Sequence, residues 1–160
     1  MEIRQYQESD RATLEKQMER FQEHLVAMDT EHQIICAPGY GPAQVGAMLE
    51  QTKKENGGVF VACEKENIVG FGACVIWRQD ETAKLGHVPT ITGHVTEMYV
   101  EEQYRSRGVG KQLLVHIEEY LKEKGCNRMY IEVFGPNKQA LQFYETNGYN
   151  VRDYMVAKTL

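Results

Sequence analysis

No stretch of this chain approaches the roughly 18 consecutive apolar residues that a membrane-spanning helix requires, so no helical span is expected. Cysteine is sparse as well. Cys36, Cys63, Cys74 and Cys126 form no C-x-x-C pair and have no histidine at metal-ligand spacing. This excludes the usual zinc patterns and a secreted disulfide framework; each is read as a buried free thiol, and no metal is expected. Basic residues are outnumbered, with 18 Lys and Arg against 23 Asp and Glu, a formal charge of −5. A nucleic-acid footprint needs a basic face, so neither nucleic acid nor membrane is expected as a partner, and cationic small molecules suit the balance better. Proline numbers only 4, and no Pro/Gly/Ser-rich linker, repeat or low-complexity run divides the chain. Met1-Glu2-Ile3-Arg4 lacks the basic-then-apolar layout of a secretory signal, which makes a reducing cytoplasm the expected location.

What is present is the composition of an ordinary globular protein, 42% hydrophobic and 26% charged over 160 residues. That length corresponds to a single domain, residues 1–160, with one core and no need of disulfide or metal staples. Ile3 to Tyr6 reads as a short strand. Ser9-Asp10 then offers a cap for a helix whose apolar residues Leu14, Met18, Phe21, Leu25 and Met28 fall at steps of four and three. A second helix is predicted from Ala43 to Asn56, after Pro42 and before Gly57-Gly58. Val59 to Cys63 and Ile68 to Trp77 read as a hairpin, and Arg78 to Gly93 as a long polar loop of the kind that carries function. There follow a strand over His94 to Glu101, a helix over Gly108 to Lys124, a strand over Arg128 to Phe134, a helix over Asn137 to Asn147 and a strand over Tyr149 to Ala157. The tally is six or seven strands and about four helices. Strand-helix-strand crossovers in the second half imply a mixed sheet with at least one parallel pair.

The segment from Val95 to Leu114 carries the chemistry. It runs strand, basic glycine loop, helix, with Gly108 and Gly110 where the helix begins. Backbone without Cβ lets a ligand approach the unpaired N–H groups of a helix start, whose dipole favours an anion. Arg105, Arg107 and Lys111 add three cations within seven residues of an acidic protein, a local charge that suits a phosphate. The order of a P-loop is absent, because Lys111 precedes Gln112, and neither Gly70-Phe71-Gly72 nor Gly108-Val109-Gly110 has the third glycine of a dinucleotide loop.

Arg105-x-x-Gly108-x-Gly110 has the form Gln/Arg-x-x-Gly-x-Gly/Ala of the GNAT superfamily of acyl-CoA-dependent N-acetyltransferases, placed as in that family after a Met-Tyr-Val strand. Asn137-x-x-Ala140-x-x-Phe143-Tyr144-x-x-x-Gly148-Tyr149 resembles the family's second signature. The two cover about residues 94 to 150. The resemblance implies a single-domain GNAT-like mixed α/β fold and acetyl-CoA as acyl donor. Backbone groups from Arg105, Ser106, Arg107, Gly108, Val109, Gly110 and Lys111 are then expected on the pyrophosphate. Met98, Tyr99 and Val100 belong to the splayed strand beside the pantetheine arm, where Met98 and Val100 offer main-chain groups. Asn137 and Tyr144 flank the sulfur end, with Ala140 counted in the same cofactor site. Two positions depart from the family pattern: Glu102 stands where Pro is common and Ser106 where a first Gly is common. Glu101-Glu102 also sets two anions near the phosphate loop.

The implied acceptor is a primary amine of a small molecule or peptide, attacking directly in a ternary complex; Cys126, far from both motifs, is poorly placed as a nucleophile. An amine of pKa about 10.4 is almost wholly protonated at pH 7, so freeing its lone pair costs about 4 to 5 kcal/mol and a base is required. Glu97, Glu132 and His94 are the candidates. On a period-two strand Glu97 and His94 point to opposite faces unless a bulge intervenes. Tyr144 is the expected partner of the departing thiolate. The first two helices and the long loop are expected to line the acceptor pocket, with Asp29, Glu31, Asp80 and Glu81 as anchors for a cation and Trp77 and Tyr40 as stacking surfaces. The competing reading is a non-catalytic acyl-CoA-binding sensor or interaction module. Among relatives of this resemblance homodimers are frequent.

Overall fold

The structure, a computed structural model, describes residues 1–158. Strand β1 (Glu2–Gln5) leads through a 3-10 turn (Glu8–Asp10) into α1 (Arg11–Met28) and α2 (Tyr40–Lys54). Strands β2 (Gly58–Glu64) and β3 (Asn67–Arg78) form the expected hairpin; a short helix α3 (Glu81–Gly86) precedes β4 (Ile91–Val100). A second 3-10 turn (Glu102–Tyr104), α4 (Val109–Glu123), β5 (Arg128–Ile131) and α5 (Lys138–Thr146) complete the order. The strands form one sheet, β1-β2-β3-β4-β5. The first three neighbouring pairs are antiparallel and β4–β5 is parallel, joined by the α4 crossover.

Three expectations are corrected. Among the described residues the sheet has five strands rather than six or seven, because the segment expected as a strand over Tyr149 to Ala157 pairs with nothing; Tyr149 turns its N–H back onto the Tyr144 carbonyl at the end of α5. Among the described residues the α-helices number five rather than about four. The extra one is α3, within the loop expected to be irregular: Asp80 accepts from the Ala83 N–H at 2.7 Å and so caps it, and six residues are too few for a helical period to show. All four cysteines are free, but only Cys63 and Cys74 are buried; Cys36 and Cys126 are half-exposed.

Each face of the sheet carries a core. Leu14 and Met18 of α1 and Val45 and Met48 of α2 pack with Val59, Val61, Phe71, Ala73 and Tyr99 on one side. On the other, α4 lays Val109, Leu113, Ile117 and Leu121 against Phe60, Ala62, Cys74, Ile76 and Val95, each such burial contributing about 1.5 to 3 kcal/mol. This contact is close because two strand positions are glycine. A Cβ at Gly72 would stand 2.7 Å from Ile117 Cδ1, and one at Gly93 would overlap the tip of Leu121. Helix α4 is thereby seated directly on β3 and β4, which fixes where its first turn lies.

Candidate active site

The β4–β5 ladder is short. It runs from Thr92 opposite Arg128 to Val95 opposite Ile131 and stops, while β4 continues to Val100 against β3. The break coincides with a bulge. Ala73 faces Glu97 but Cys74 faces Val95, leaving Thr96 as an extra residue on β4, and such an insertion bends a strand and increases its twist. Beyond it β4 has a free edge. The Glu101 N–H donates to the Val69 carbonyl of β3 at 2.9 Å; peptide groups alternate edges along a strand, so those of Val100 and Met98 point away from β3, into the gap where β5 has ended. Tyr99 does not share that edge: its main chain faces β3 and its ring is buried with Phe21 and Phe71.

The loop after β4 folds back on this gap. Arg105 donates from Nε to the Val100 carbonyl at 3.0 Å and lies over the Tyr99 ring, so its guanidinium fastens the loop as well as charging it. Ser106 and Gly108 both adopt the left-handed region, at φ 60° and 80°. They turn the chain so that α4 starts at Val109 with no side-chain cap. The first bond within the helix is from Gln112 N–H to the Gly108 carbonyl, which leaves the N–H groups of Val109, Gly110 and Lys111 without intrahelical partners and open to an anion. Arg107 and Lys111 are exposed at the same end. The feared anions are half neutralised: buried Glu101 accepts from Arg20 of α1 at 2.5 Å, leaving Glu102 exposed.

The bulge also changes which candidate bases meet. Glu97 pairs with Ala73 and His94 with Val75, two residues apart on β3, so both side chains lie on the α1–α2 face. His94 is 8% exposed, its Nδ1 has no hydrogen-bond partner, and Trp77 stacks on it at 4.3 Å between ring centroids. Burial lowers its pKa, and the neighbouring Glu132 charge opposes that. Glu97 is half-buried; burial raises its pKa while a hydrogen bond from Gln44 Nε2, at 3.0 Å, partly offsets the rise. Glu132 lies exposed one residue beyond β5. Glu97 thus stands on β4 beyond the end of the β4–β5 ladder and Glu132 just past β5, close enough to His94 for its charge to be felt there.

Helix α5 closes the opposite flank. Asn137 caps it, accepting from the Ala140 N–H at 3.0 Å. The Phe143 ring would touch a Cβ on Gly110, at 3.4 Å, with Val100 alongside, so α5 packs across the first turn of α4. Tyr144 is 8% exposed, between Phe143 and Tyr149, and burial alone pushes its hydroxyl up to about 12.

The anchors expected for an acceptor cation are mostly engaged elsewhere. The Asp29 carboxylate accepts from the N–H groups of Glu31, Gln33 and Ile34, Asp80 caps α3, and Glu81 pairs with Lys84. Tyr40 lies near enough to Glu97 to feel its charge. Gln44 and Arg20 escaped the sequence reading; both sit on helices at positions with no motif, and only the tertiary contact reveals them.

The family model described as acetyltransferase (GNAT) family matches residues 15–149. Thialysine N-epsilon-acetyltransferase of Sus scrofa is 31% identical over 55 residues, covering 34% of this chain and 32% of that protein; the chain thus spans about a third of the length of the first curated relatives it matches. The tetramutant of BH1408 protein from Bacillus halodurans superposes with a TM-score of 0.81 at 17% identity, covering 100% of both chains. AAC(6')-Iy in complex with the bisubstrate analog CoA-S-monomethyl-acetylneamine superposes at 0.70 and 16%, covering 99% of this chain and 97% of that one.

Proposed function

From its place in the acetyltransferase (GNAT) family, to which this chain belongs, we propose that it is an acyltransferase moving an acetyl group from acetyl-CoA to a primary amine of a small molecule or peptide. The reaction proceeds by direct attack in a ternary complex, carried out in the cytoplasm by a single domain over residues 1–160. One observation carries the reading: the β4–β5 ladder ends at Val95 and Ile131 beside an α4 first turn whose N–H groups lack helical partners. A diphosphate on those N–H groups, with charge from Arg105, Arg107 and Lys111, directs the pantetheine arm along the outer edge of β4, where the Met98 peptide groups and the Val100 N–H face the gap and Arg105 holds the Val100 carbonyl. The thioester then reaches the gap from one face while the amine arrives from the α1–α2 face.

Glu97 is the base best supported. Its carboxylate is more basic than an ordinary one because burial raises its pKa, and Gln44 fixes its orientation. His94, depressed by burial, is neutral at pH 7 and free to accept a proton at Nδ1; Glu132 keeps it from being depressed further. The amine loses its proton to the Glu97 carboxylate, its nitrogen bonds the acetyl carbon, and the C–S bond breaks to leave a thiolate near Tyr144.

A thiol-release assay over amines, polyamines, amino acids, aminoglycosides and peptide N-termini tests the proposal. At least one amine is expected to accelerate release, and Glu97→Gln to lower kcat/KM by about 10²- to 10⁴-fold, the usual contribution of a positioned base. Acetyl-CoA binding without release in any arm would support the sensor reading instead.

A further inference from the structure

Among the described residues two buried side-chain polar atoms lack a hydrogen-bond partner, Gln17 Oε1 and His94 Nδ1. Gln17 is anchored at the start of β3, its Nε2 donating to the Ile68 carbonyl at 2.9 Å. His94 stands instead on β4 beside the gap. Its ring is 8% exposed, and burial keeps it neutral at pH 7, so Nδ1 is available as an acceptor. A buried acceptor with no donor is costly, and such an atom in a native fold marks a place where a group from outside the chain completes the bond. What covers the ring is a surface side chain and not the core: Trp77, 4.3 Å away between ring centroids, is itself 43% exposed.

His94 and Glu97 lie opposite Val75 and Ala73 of β3, two residues apart on one face, a spacing of roughly 7 Å. β5 contributes to the same face. Tyr130 pairs with His94, while Met129 and Ile131 turn to the α4 side, so Tyr130 and Glu132 lie on the His94 side. Charge here is mixed: Glu132 acts on His94, whereas Arg128 and Arg152 both donate to the Tyr130 hydroxyl, at 3.2 and 2.6 Å. A second group of the acceptor that reaches His94 is therefore selected for the hydrogen it donates rather than for a charge.

We infer that the acceptor is held at two points, its reacting amine at Glu97 and a second hydrogen-bond donor of the same molecule, a hydroxyl or a further amine, at His94 Nδ1 beneath Trp77. A chain of about four or five carbons between the two groups spans the roughly 7 Å. The acceptor class is thus amino alcohols and diamines of that length, in preference to simple alkylamines. His94 selects the acceptor and Glu97 takes its proton. The inference rests on the acetyl-transfer reading, because it takes the amine at Glu97 as the one acetylated.

Thiol release is measured with butylamine, with the same chain bearing a hydroxyl at its far end, and with the same chain bearing a second amine there. The amino alcohol and the diamine are expected to exceed butylamine in kcat/KM by at least about tenfold, chiefly through KM, since a site with an unpaired polar group rejects the analogue that leaves it unpaired. His94→Leu should bring the three amines to similar values. His94→Asn, which keeps an acceptor oxygen near the place of Nδ1, should restore part of the difference. Trp77 is the single tryptophan of the chain, so its fluorescence follows acceptor binding in the presence of coenzyme A, where no acetyl group moves. The amino alcohol is expected to change the emission at a concentration at least about tenfold below that needed for butylamine. Such a difference without thiol release from any amine would sustain the two-point site and remove the acetyl-transfer reading. Thiol release with equal kcat/KM for the three amines, equal fluorescence midpoints, or a fall in His94→Leu that is the same for all three would overturn the inference. Should His94→Leu fail to fold, the wild-type comparisons decide.

Discussion

A phenol pushed up to about 12 by burial loses its proton to a thiolate of pKa about 8.5 only at a cost of roughly 5 kcal/mol. In the proposed reaction Tyr144 would therefore serve the leaving sulfur as a hydrogen-bond donor, stabilising charge as it develops, and not as its acid. Tyr144→Phe is expected to lower kcat by about tenfold or more while the KM for acetyl-CoA changes little; a kcat within about twofold of wild type removes the assignment. Glu97 carries a cost of its own. Its raised pKa means that the folded state holds the proton more tightly than the unfolded chain, so this group's stability is present below the ordinary carboxylate pKa and lost as pH rises through the folded value. Glu97→Gln should consequently melt at a higher temperature than wild type at pH 7 and lose that advantage below the ordinary pKa, while activity falls; equal melting at pH 7 would refute the burial argument. Residue identity was legible where the backbone demands a type, as at Gly108, which turns the chain at φ 80° just before α4. It was not at Gln44 and Arg20, whose roles exist only because α2 and α1 bring them to Glu97 and Glu101.

Between β4 and α4 the chain turns with two left-handed residues, and one of them is a serine. Ser106 at φ 60° occupies a conformation that costs an L-residue about 1 to 2 kcal/mol, offset in glycine by the larger entropy lost on folding. Ser106→Gly should stabilise by about 0.5 to 1 kcal/mol, or roughly 1 to 4 °C in Tm, with acetyl-CoA binding kept. Gly108→Ala, at φ 80°, is expected to do the reverse: a Tm lower by a similar amount, and weaker acetyl-CoA binding because the N–H groups after it no longer converge. Calorimetry and titration of acetyl-CoA check both. Helical periodicity was readable because one face of each helix meets one core, and the β2–β3 hairpin because both of its faces are buried, which makes each strand a nearly continuous apolar run on either side of a polar turn. The bulge at Thr96 was not, since an inserted residue leaves the composition of a strand unchanged while reversing which side chains share a face. The tail after Tyr149 misled for a related reason: its apolar residues are those of a strand, but a strand needs a partner edge, and residues 149–158 pair with none.

Several buried titratable groups, set in different parts of the fold, give the whole molecule a stability curve with separable limbs. Asp10, bound to Arg4 at 2.7 and 2.8 Å, and Asp29, holding three backbone N–H groups, both have lowered pKa values, chiefly from Arg4 and from the Ile34 N–H respectively. Their contribution is present above the ordinary carboxylate value and lost as pH falls through the depressed folded ones, so it governs the acid end. His94 and His24 act earlier. Burial lowers both, so the unfolded chain takes up protons near pH 6.5 while the folded chain still resists them, and stability declines as pH drops below that point until the folded rings protonate too. Lowering pH from 7.5 to 5.5 should therefore reduce Tm before any carboxylate pair is broken. His94→Gln should shallow that slope without abolishing it, since His24 remains. Melting curves at half-unit pH steps decide the matter: a slope identical in the variant would mean that the ring stacked under Trp77 is not excluded from water as its 8% exposure requires.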